Sequence, residues 1–156
     1  MENKYFHFIT EALASINTLF NNKILYPTLM ILLFLMIVDY LSGMWASKKE
    51  ALEHSNDPNY GWSSKKSAIG IYKKIGYIIS ICVAVSTDYI ITKYFQELNY
   101  TYQYDTAFGT LVAIWYVLNE LLSIIENAGR MGAPLPEFLK KVISQLRNNI
   151  DDKNSQ

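Results

Sequence analysis

The sequence predicts an all-α integral membrane protein: three transmembrane helices, preceded by an N-terminal interfacial amphipathic helix and followed by a C-terminal basic amphipathic helix. Three observations lead there. The 156 residues contain three windows of membrane-span length that are almost free of charge. When those windows are threaded through a bilayer, the basic residues sort to one side. Small and polar residues also recur at helical spacing in each window, as contacts between helices in lipid require.

Averages conceal this pattern. Fourteen basic residues balance fourteen acidic ones and mean hydropathy is +0.07, values compatible with an ordinary soluble domain. Yet 51% of residues are hydrophobic and only 18% charged, which is apolar-rich and charge-poor. The neutral balance, with no block of like charge, argues against a nucleic-acid partner. The length allows one domain with one core, and the single Cys82 excludes an intrachain disulfide framework and metal clusters of the cysteine type. The first residues lack a basic region, an apolar region and a small-residue cleavage site in sequence, so no cleavable signal peptide is expected.

Residues 1–23 form the first segment. Ile9, Leu13, Ile16 and Phe20 fall on one helical stripe, with Glu11 and Asn17 off it, the pattern of a helix lying in the membrane interface. A fourth span is the competing reading, opposed by Glu11 and by the short uncharged stretch before Lys23.

The membrane domain, residues 24–130, holds spans at about 24–47, 75–92 and 106–125, whose only charges are Asp39, Asp88 and Glu120 respectively. A helix rises about 1.5 Å per residue, so roughly 20 apolar residues cross a hydrocarbon core of about 30 Å. A soluble bundle would need amphipathic helices to cover three that are apolar all round, and only residues 5–20 and 136–146 have that character.

Residues 131–156 form the C-terminal helix and tail. Gly129-Arg130-Met131-Gly132-Ala133-Pro134-Leu135-Pro136 reads as a helix stop, a proline turn and a new helix start. The next helix places Leu139, Val142, Ile143 and Leu146 on one face with Lys140, Lys141 and Arg147 around it, suited to the headgroups of the cytoplasmic leaflet.

Orientation follows from basic residues beside the spans. Lys4, Lys23 and Lys93 fall on one side. The first connection and the C-terminal region hold the other eleven: Lys48, Lys49, Lys65, Lys66, Lys73, Lys74, Arg130, Lys140, Lys141, Arg147 and Lys153. Three spans place those two regions together, giving a multi-pass protein with its N-terminus out and its C-terminus in. Tyr26, Tyr89 and Tyr94 then fall near the outer interface, and Trp45, Tyr72 and Tyr77 near the inner one, where amphipathic rings favour the headgroup level.

Each span carries one acid, and an acid facing lipid at mid-membrane costs about 2.5 to 3.5 kcal/mol. Asp39 lies about 23 Å and Glu120 about 22 Å from the outer ends of their helices, so the two share a depth toward the cytoplasmic side. Asp88 lies near the outer face, where pairing with Lys93 or reaching for the interface relieves it. Two kinds of stripe accompany the acids. Asp39, Ser42, Gly43, Asn119, Glu120, Ser123, Glu126, Asn127 and Arg130 are the candidate polar seam and oligomer interface, with Glu126 and Arg130 one helical turn apart. Gly76, Ser80, Ala84 and Asp88 are candidate helix-packing positions on the second span. No partner for Asp39 or Glu120 within the chain is legible, and so small a chain offers little interior for polar groups. Self-assembly would supply it, and packing within one protomer is the alternative.

Catalysis has no clear footing. The pairs Asp39-Tyr40 and Asp88-Tyr89 invite an intramembrane aspartyl protease, but their depths are opposite and no Gly-x-Gly-Asp motif occurs. His7 and His54 have no second ligand at metal spacing, and Cys82 suits a small apolar filler. No enzyme activity, cofactor or metal is expected.

Three blocks carry a resemblance. They are Val38-Asp39-Tyr40-Leu41-Ser42-Gly43, then Ser67-Ala68-Ile69-Gly70-Ile71-Tyr72-Lys73-Lys74, then Asn119-Glu120-Leu121-Leu122-Ser123-Ile124-Ile125-Glu126-Asn127-Ala128-Gly129 followed by Gly132-Ala133-Pro134-Leu135-Pro136. In this order they resemble the phage holins of family 4, which include clostridial toxin-secretion holins. The last block is the most specific, and the resemblance covers about residues 30–146. It departs from the family in Tyr72 and in a loop, residues 54–61, that looks like an insertion. What it implies is a homo-oligomer of the bacterial cytoplasmic membrane that opens lesions for a cell-wall hydrolase (endolysin) or toxin, ending in host cell lysis. Direct contact with that cargo is not required. A non-pore membrane adaptor or small transport subunit, binding a cytoplasmic partner through its lysine-rich loop and C-terminal helix, is the alternative.

Overall fold

The computed structural model describes residues 22–54, 61, 63–100 and 106–154 together with Phe6 and Thr10, with side chains described as far as residue 145. Four helices account for nearly all of these: α1 (Leu25–Glu53), α2 (Ser64–Glu97), α3 (Ala107–Arg130) and α4 (Glu137–Asn154). No strand occurs among the described residues. The interfacial helix expected over residues 5–20 lies outside them, Phe6 and Thr10 apart.

α1, α2 and α3 are each long and apolar enough to cross a membrane, at 29, 34 and 24 residues. They match the three windows that carry a single acid each but run past the charged ends. At the helical rise they are about 44, 51 and 36 Å long, more than a hydrocarbon core of about 30 Å needs. Charge does not end these helices, and several of their ends carry caps. Asn22 caps α1, its Oδ1 accepting from the N–H groups of Ile24 at 3.0 Å and Leu25 at 2.7 Å. α2 ends at Asn99, which adopts a left-handed φ of 58° while Tyr100 N donates to Phe95 O at 2.9 Å and Asn99 N to Gln96 O at 3.0 Å.

The same pair of bonds ends α3. Ala133 N donates to Ala128 O at 3.0 Å and Gly132 N to Gly129 O at 2.9 Å, with Gly132 at φ 96°. The helix stop read from the sequence is therefore centred on Gly132, the residue that adopts left-handed backbone without a Cβ clash. Gly132→Ala will lower stability by about 1 to 2 kcal/mol, measured as a fall in melting temperature in detergent. Pro136 then opens α4, its carbonyl accepting from Leu139 N at 3.0 Å and Lys140 N at 3.3 Å. At the start of α4, Lys140 donates to Glu137 at 2.8 Å and holds that exposed carboxyl below the usual carboxylate range.

The chain divides into two compact units. The first comprises Met1–Phe34 and Gly76–Val117, the second Leu35–Ile75 and Leu118–Gln156. In the first, the buried residues are mostly apolar: Leu25 and Leu32 of α1, Tyr77, Ile81 and Ala84 of α2, and Ala113 of α3. Tyr77 stacks on Tyr116 with ring centroids 4.0 Å apart, so it is a core residue and not the interfacial anchor that its place in the sequence implies. Of the positions expected to pack α2, Ala84 and Asp88 are buried; Gly76 and Ser80 are half-buried, and a Cβ at Gly76 would meet nothing within 4 Å.

Most of the apolar surface of these helices is left unburied among the described residues. Only 28%, 17% and 17% of the apolar windows of α1, α2 and α3 are buried. Phe34, Ile37 and Trp45 on α1, Val83 and Ile90 on α2, and Leu111 and Trp115 on α3 are all more than half exposed. Water would penalise this surface at about 25 cal/mol per Å², whereas a hydrocarbon medium would not.

Candidate functional site

The polar residues of the second unit converge on Lys74. Its ammonium, from α2, donates to Asp39 Oδ2 of α1 at 2.9 Å and to Glu120 Oε2 of α3. The three charges sit well inside the unit, their side chains 13% (Lys74), 17% (Asp39) and 4% (Glu120) exposed. An isolated charge at such a site is expensive to desolvate, and the pairing is what makes two carboxylates tolerable there.

Asn127 of α3 extends the network. Its Nδ2 donates to Asp39 Oδ1 at 3.1 Å and to Ser42 Oγ at 3.0 Å, while its Oδ1 accepts from Arg130 at 3.0 Å. Arg130 lays its fork on Glu50 of α1, Nε to Oε1 and Nη2 to Oε2, both at 2.8 Å. Two parallel bonds of this kind are the favoured guanidinium–carboxylate geometry. A further bond runs from Arg130 Nη2 to Ser47 Oγ at 3.4 Å, and Lys49 Nζ donates to the Arg130 carbonyl at 3.3 Å. Gly43 makes room for the amide: a Cβ there would lie 3.4 Å from Asn127 Nδ2.

Of the expected seam, then, Asp39, Ser42, Gly43, Glu120, Asn127 and Arg130 come together within one chain. Ser123 lines a cleft that Asp39, Gly43, Asn127 and Arg130 also border, and Asn119, half-buried, stands outside the hydrogen-bonded network. Arg130 takes Glu50 as its ion-pair partner, not Glu126 one turn away, and Glu126 lines a separate groove with Leu135 and Ile143. The premise that Asp39 and Glu120 lack a partner in the chain is corrected, since Lys74 serves both. A charge count puts Lys74 in the connection, because it borders the window that holds Asp88 as its only charge. The spacing nevertheless marks it: positions 63, 67, 70, 74, 77, 81, 84 and 88 alternate in steps of four and three, the spacing of one helical stripe that begins just before α2 and runs along it. Glu50 is found the same way, on the stripe 39, 43, 46, 50 of α1.

The third span acid, in the first unit, has a different role. Asp88 is 1% exposed and accepts the backbone N–H groups of Phe108 at 3.0 Å and Gly109 at 2.7 Å, capping the positive end of α3. It neither reaches for the interface nor pairs with Lys93, whose ammonium lies 5.7 Å from the Tyr89 ring centroid. Gly109 permits the approach, since a Cβ there would stand 2.6 Å from Val85 Cγ2. Asn22 Nδ2 donates to Thr106 Oγ1 at 2.9 Å beside the same helix start.

Comparison with known proteins places this architecture. The sequence profile of the bacteriophage holin family matches residues 14–148. An uncharacterized protein of Clostridium acetobutylicum is 34% identical over 122 residues, covering 77% of this chain and 81% of its own. An uncharacterized protein of Halalkalibacterium halodurans is 31% identical over 121 residues, covering 78% of each chain, and one of Clostridium perfringens is 33% identical over 126 residues, covering 81% of this chain and 77% of its own. No solved structure matches. The profile takes in all three apolar helices and every residue of the polar network, and the chain belongs to the bacteriophage holin family.

Proposed function

We propose that the protein is a holin of the bacterial cytoplasmic membrane, which oligomerises and forms lesions through which an endolysin or toxin leaves the cell. The observation that carries this reading is the holin profile over residues 14–148, spanning helices whose apolar faces remain mostly unburied among the described residues. It includes no enzymatic step: the lesion is made by assembly. The N-terminus lies outside and the C-terminus inside, on the count of eleven basic residues against three, with α4 resting on anionic headgroups. Cysteines introduced singly at Asn56 and Asn99 and probed with a membrane-impermeant reagent test this: only Asn99→Cys will react from outside.

The polar network gives the holin its closed state. Satisfied within one protomer, it lets the chain accumulate as a quiet membrane protein; re-pairing of Asp39 and the residue 119–130 stripe between protomers would line the lesion. Glu120→Gln and Asp39→Asn each remove one charge while keeping the shape. Both will shift the time of lysis after induction and leave membrane insertion intact, read from membrane potential and release of a cytoplasmic enzyme. Insertion without permeabilisation at high expression would sink the pore, and unchanged timing would return these acids to simple packing.

One observation favours a second reading. A network closed inside one chain needs no second copy, as befits a non-pore adaptor or small transport subunit that binds a cytoplasmic partner. Chemical crosslinking in membranes separates the two: a holin gives a homo-oligomer ladder, an adaptor a defined hetero-complex.

A further inference from the structure

We propose that the cleft beside Lys74 is a binding site for a phosphate-bearing anion, and that its place in the fold suits the headgroup of an acidic phospholipid. The cavity holds about 240 Å³ and is lined entirely from the second unit, by α1, α3 and the chain from Ser63 into α2. It exists because the inward stripes carry small side chains there. Ser63, Ser67 and Gly70 on the α2 stripe and Ser123 on α3 stand where larger apolar residues would fill the space. An apolar void would stay dry and only forfeit contacts, but a cavity walled by hydroxyls and ammonium groups is built for water or a polar guest.

The lining chemistry selects the guest. Three cations, Lys66, Lys74 and Arg130, border the cleft against one acid, Asp39. That acid is engaged, with Oδ2 on Lys74 and Oδ1 on Asn127, and the carboxylates behind the wall are engaged too, Glu120 by Lys74 and Glu50 by the Arg130 fork. What remains is donors. Lys66 makes no salt bridge among the described residues, and the Ser63, Ser67 and Ser123 hydroxyls make no hydrogen bond among them. Lys74 spends two of its three N–H groups on carboxylates, leaving one. Unspent donors gathered round a cavity, with every nearby carboxylate already paired, call for a guest rich in acceptor oxygens and negatively charged. A phosphate group meets both needs.

Position points to the lipid. The cleft runs along the C-terminal half of α1, the C-terminal turns of α3 and the N-terminal turns of α2, toward the end of the helices that the proposed topology sets in the cytoplasmic leaflet. Basic pockets between membrane helices at that level receive acidic headgroups. The inference rests on the membrane reading but not on pore formation.

Native mass spectrometry of the full-length protein, extracted from vesicles of phosphatidylcholine and phosphatidylglycerol in equal amounts, tests it. The wild type will retain phosphatidylglycerol in preference. Gly70→Phe will reduce that retention about tenfold by filling the cleft, and Lys66→Gln will reduce it several-fold, while Lys141→Gln on α4 will not. A Cβ at Gly70 meets nothing within 4 Å, so the larger side chain has space to enter. Should Gly70→Phe fail to fold, Lys66→Gln, at an exposed position, still decides. In a parallel arm, inorganic phosphate at matched ionic strength is added to delipidated protein and the melting temperature followed. Stabilisation by phosphate that both variants abolish, with no lipid preference, keeps the site and assigns it to a soluble anion. No response in either arm, or a lipid preference untouched by both variants, overturns the proposal. The membrane reading fails separately, if alkaline carbonate strips the protein from cell membranes.

Discussion

Lys74→Met will destabilise the protein by about 3 to 5 kcal/mol, the largest loss expected from any single substitution here. Methionine keeps most of the stem volume but leaves Asp39 and Glu120 without the cation they share. The cost comes less from the lost attraction than from the two carboxylates left behind, buried and repelling each other. Helix content followed by circular dichroism as sodium dodecyl sulfate is raised in mixed micelles will show the early loss. The triple variant Lys74→Met with Asp39→Asn and Glu120→Gln will recover most of it, because replacing a whole ionic group is far gentler than orphaning its members. If Lys74→Met alone matches the wild type, the ammonium is not what holds the three helices together in this unit.

Asp88→Ala will cost about 2 to 4 kcal/mol in the same measurement. Its carboxylate is the acceptor for two N–H groups at the start of α3, at 2.7 and 3.0 Å, and one of these bonds is buried. Alanine leaves both donors unmet where little water reaches and removes a negative charge from the positive helix end. Asp88→Asn, with one acceptor oxygen and no charge, will fall between the two. A difference will separate this position from Lys74: reversing the charge of a neighbour will not rescue Asp88→Ala, because its partners are backbone groups.

The three long helices were legible because apolar runs with a single charge have few other solutions at that length. Their ends were less so. Gly132 announced itself in a glycine and proline cluster, whereas Asn99 looked like any polar loop residue, and α2 begins at Ser64, well before the apolar window that marked it. The candidate site was half visible for the same reason. Asp39, Glu120, Asn127 and Arg130 stood out as polar residues at helical spacing in or beside apolar windows, but Lys74 and Glu50 sat at the borders, where a charge count assigns them to water. The alternation of threes and fours through position 74 was the better guide, since helical geometry continues past the point where composition changes. Asp88 failed on direction. Lys93 is five residues on, which at about 100° per residue points it well away from Asp88, and the true partners are main-chain groups of another helix that no side-chain pattern reveals.

Asn127 gives the polar network a direction. Its amide hydrogens face Asp39 and Ser42 and its oxygen faces Arg130, so the group is locked in one of its two flip states by acceptors on one side and a donor on the other. Removed, the Lys74 cluster and the Arg130–Glu50 pair would be two local arrangements, each free to break without the other. Present, it makes them a single cooperative element, in which weakening the ion pair between the ends of α1 and α3 loosens the charges deeper in the unit. Under the proposed holin function, in which the protein accumulates before it changes state, such coupling sharpens the threshold, because its restraints release as one.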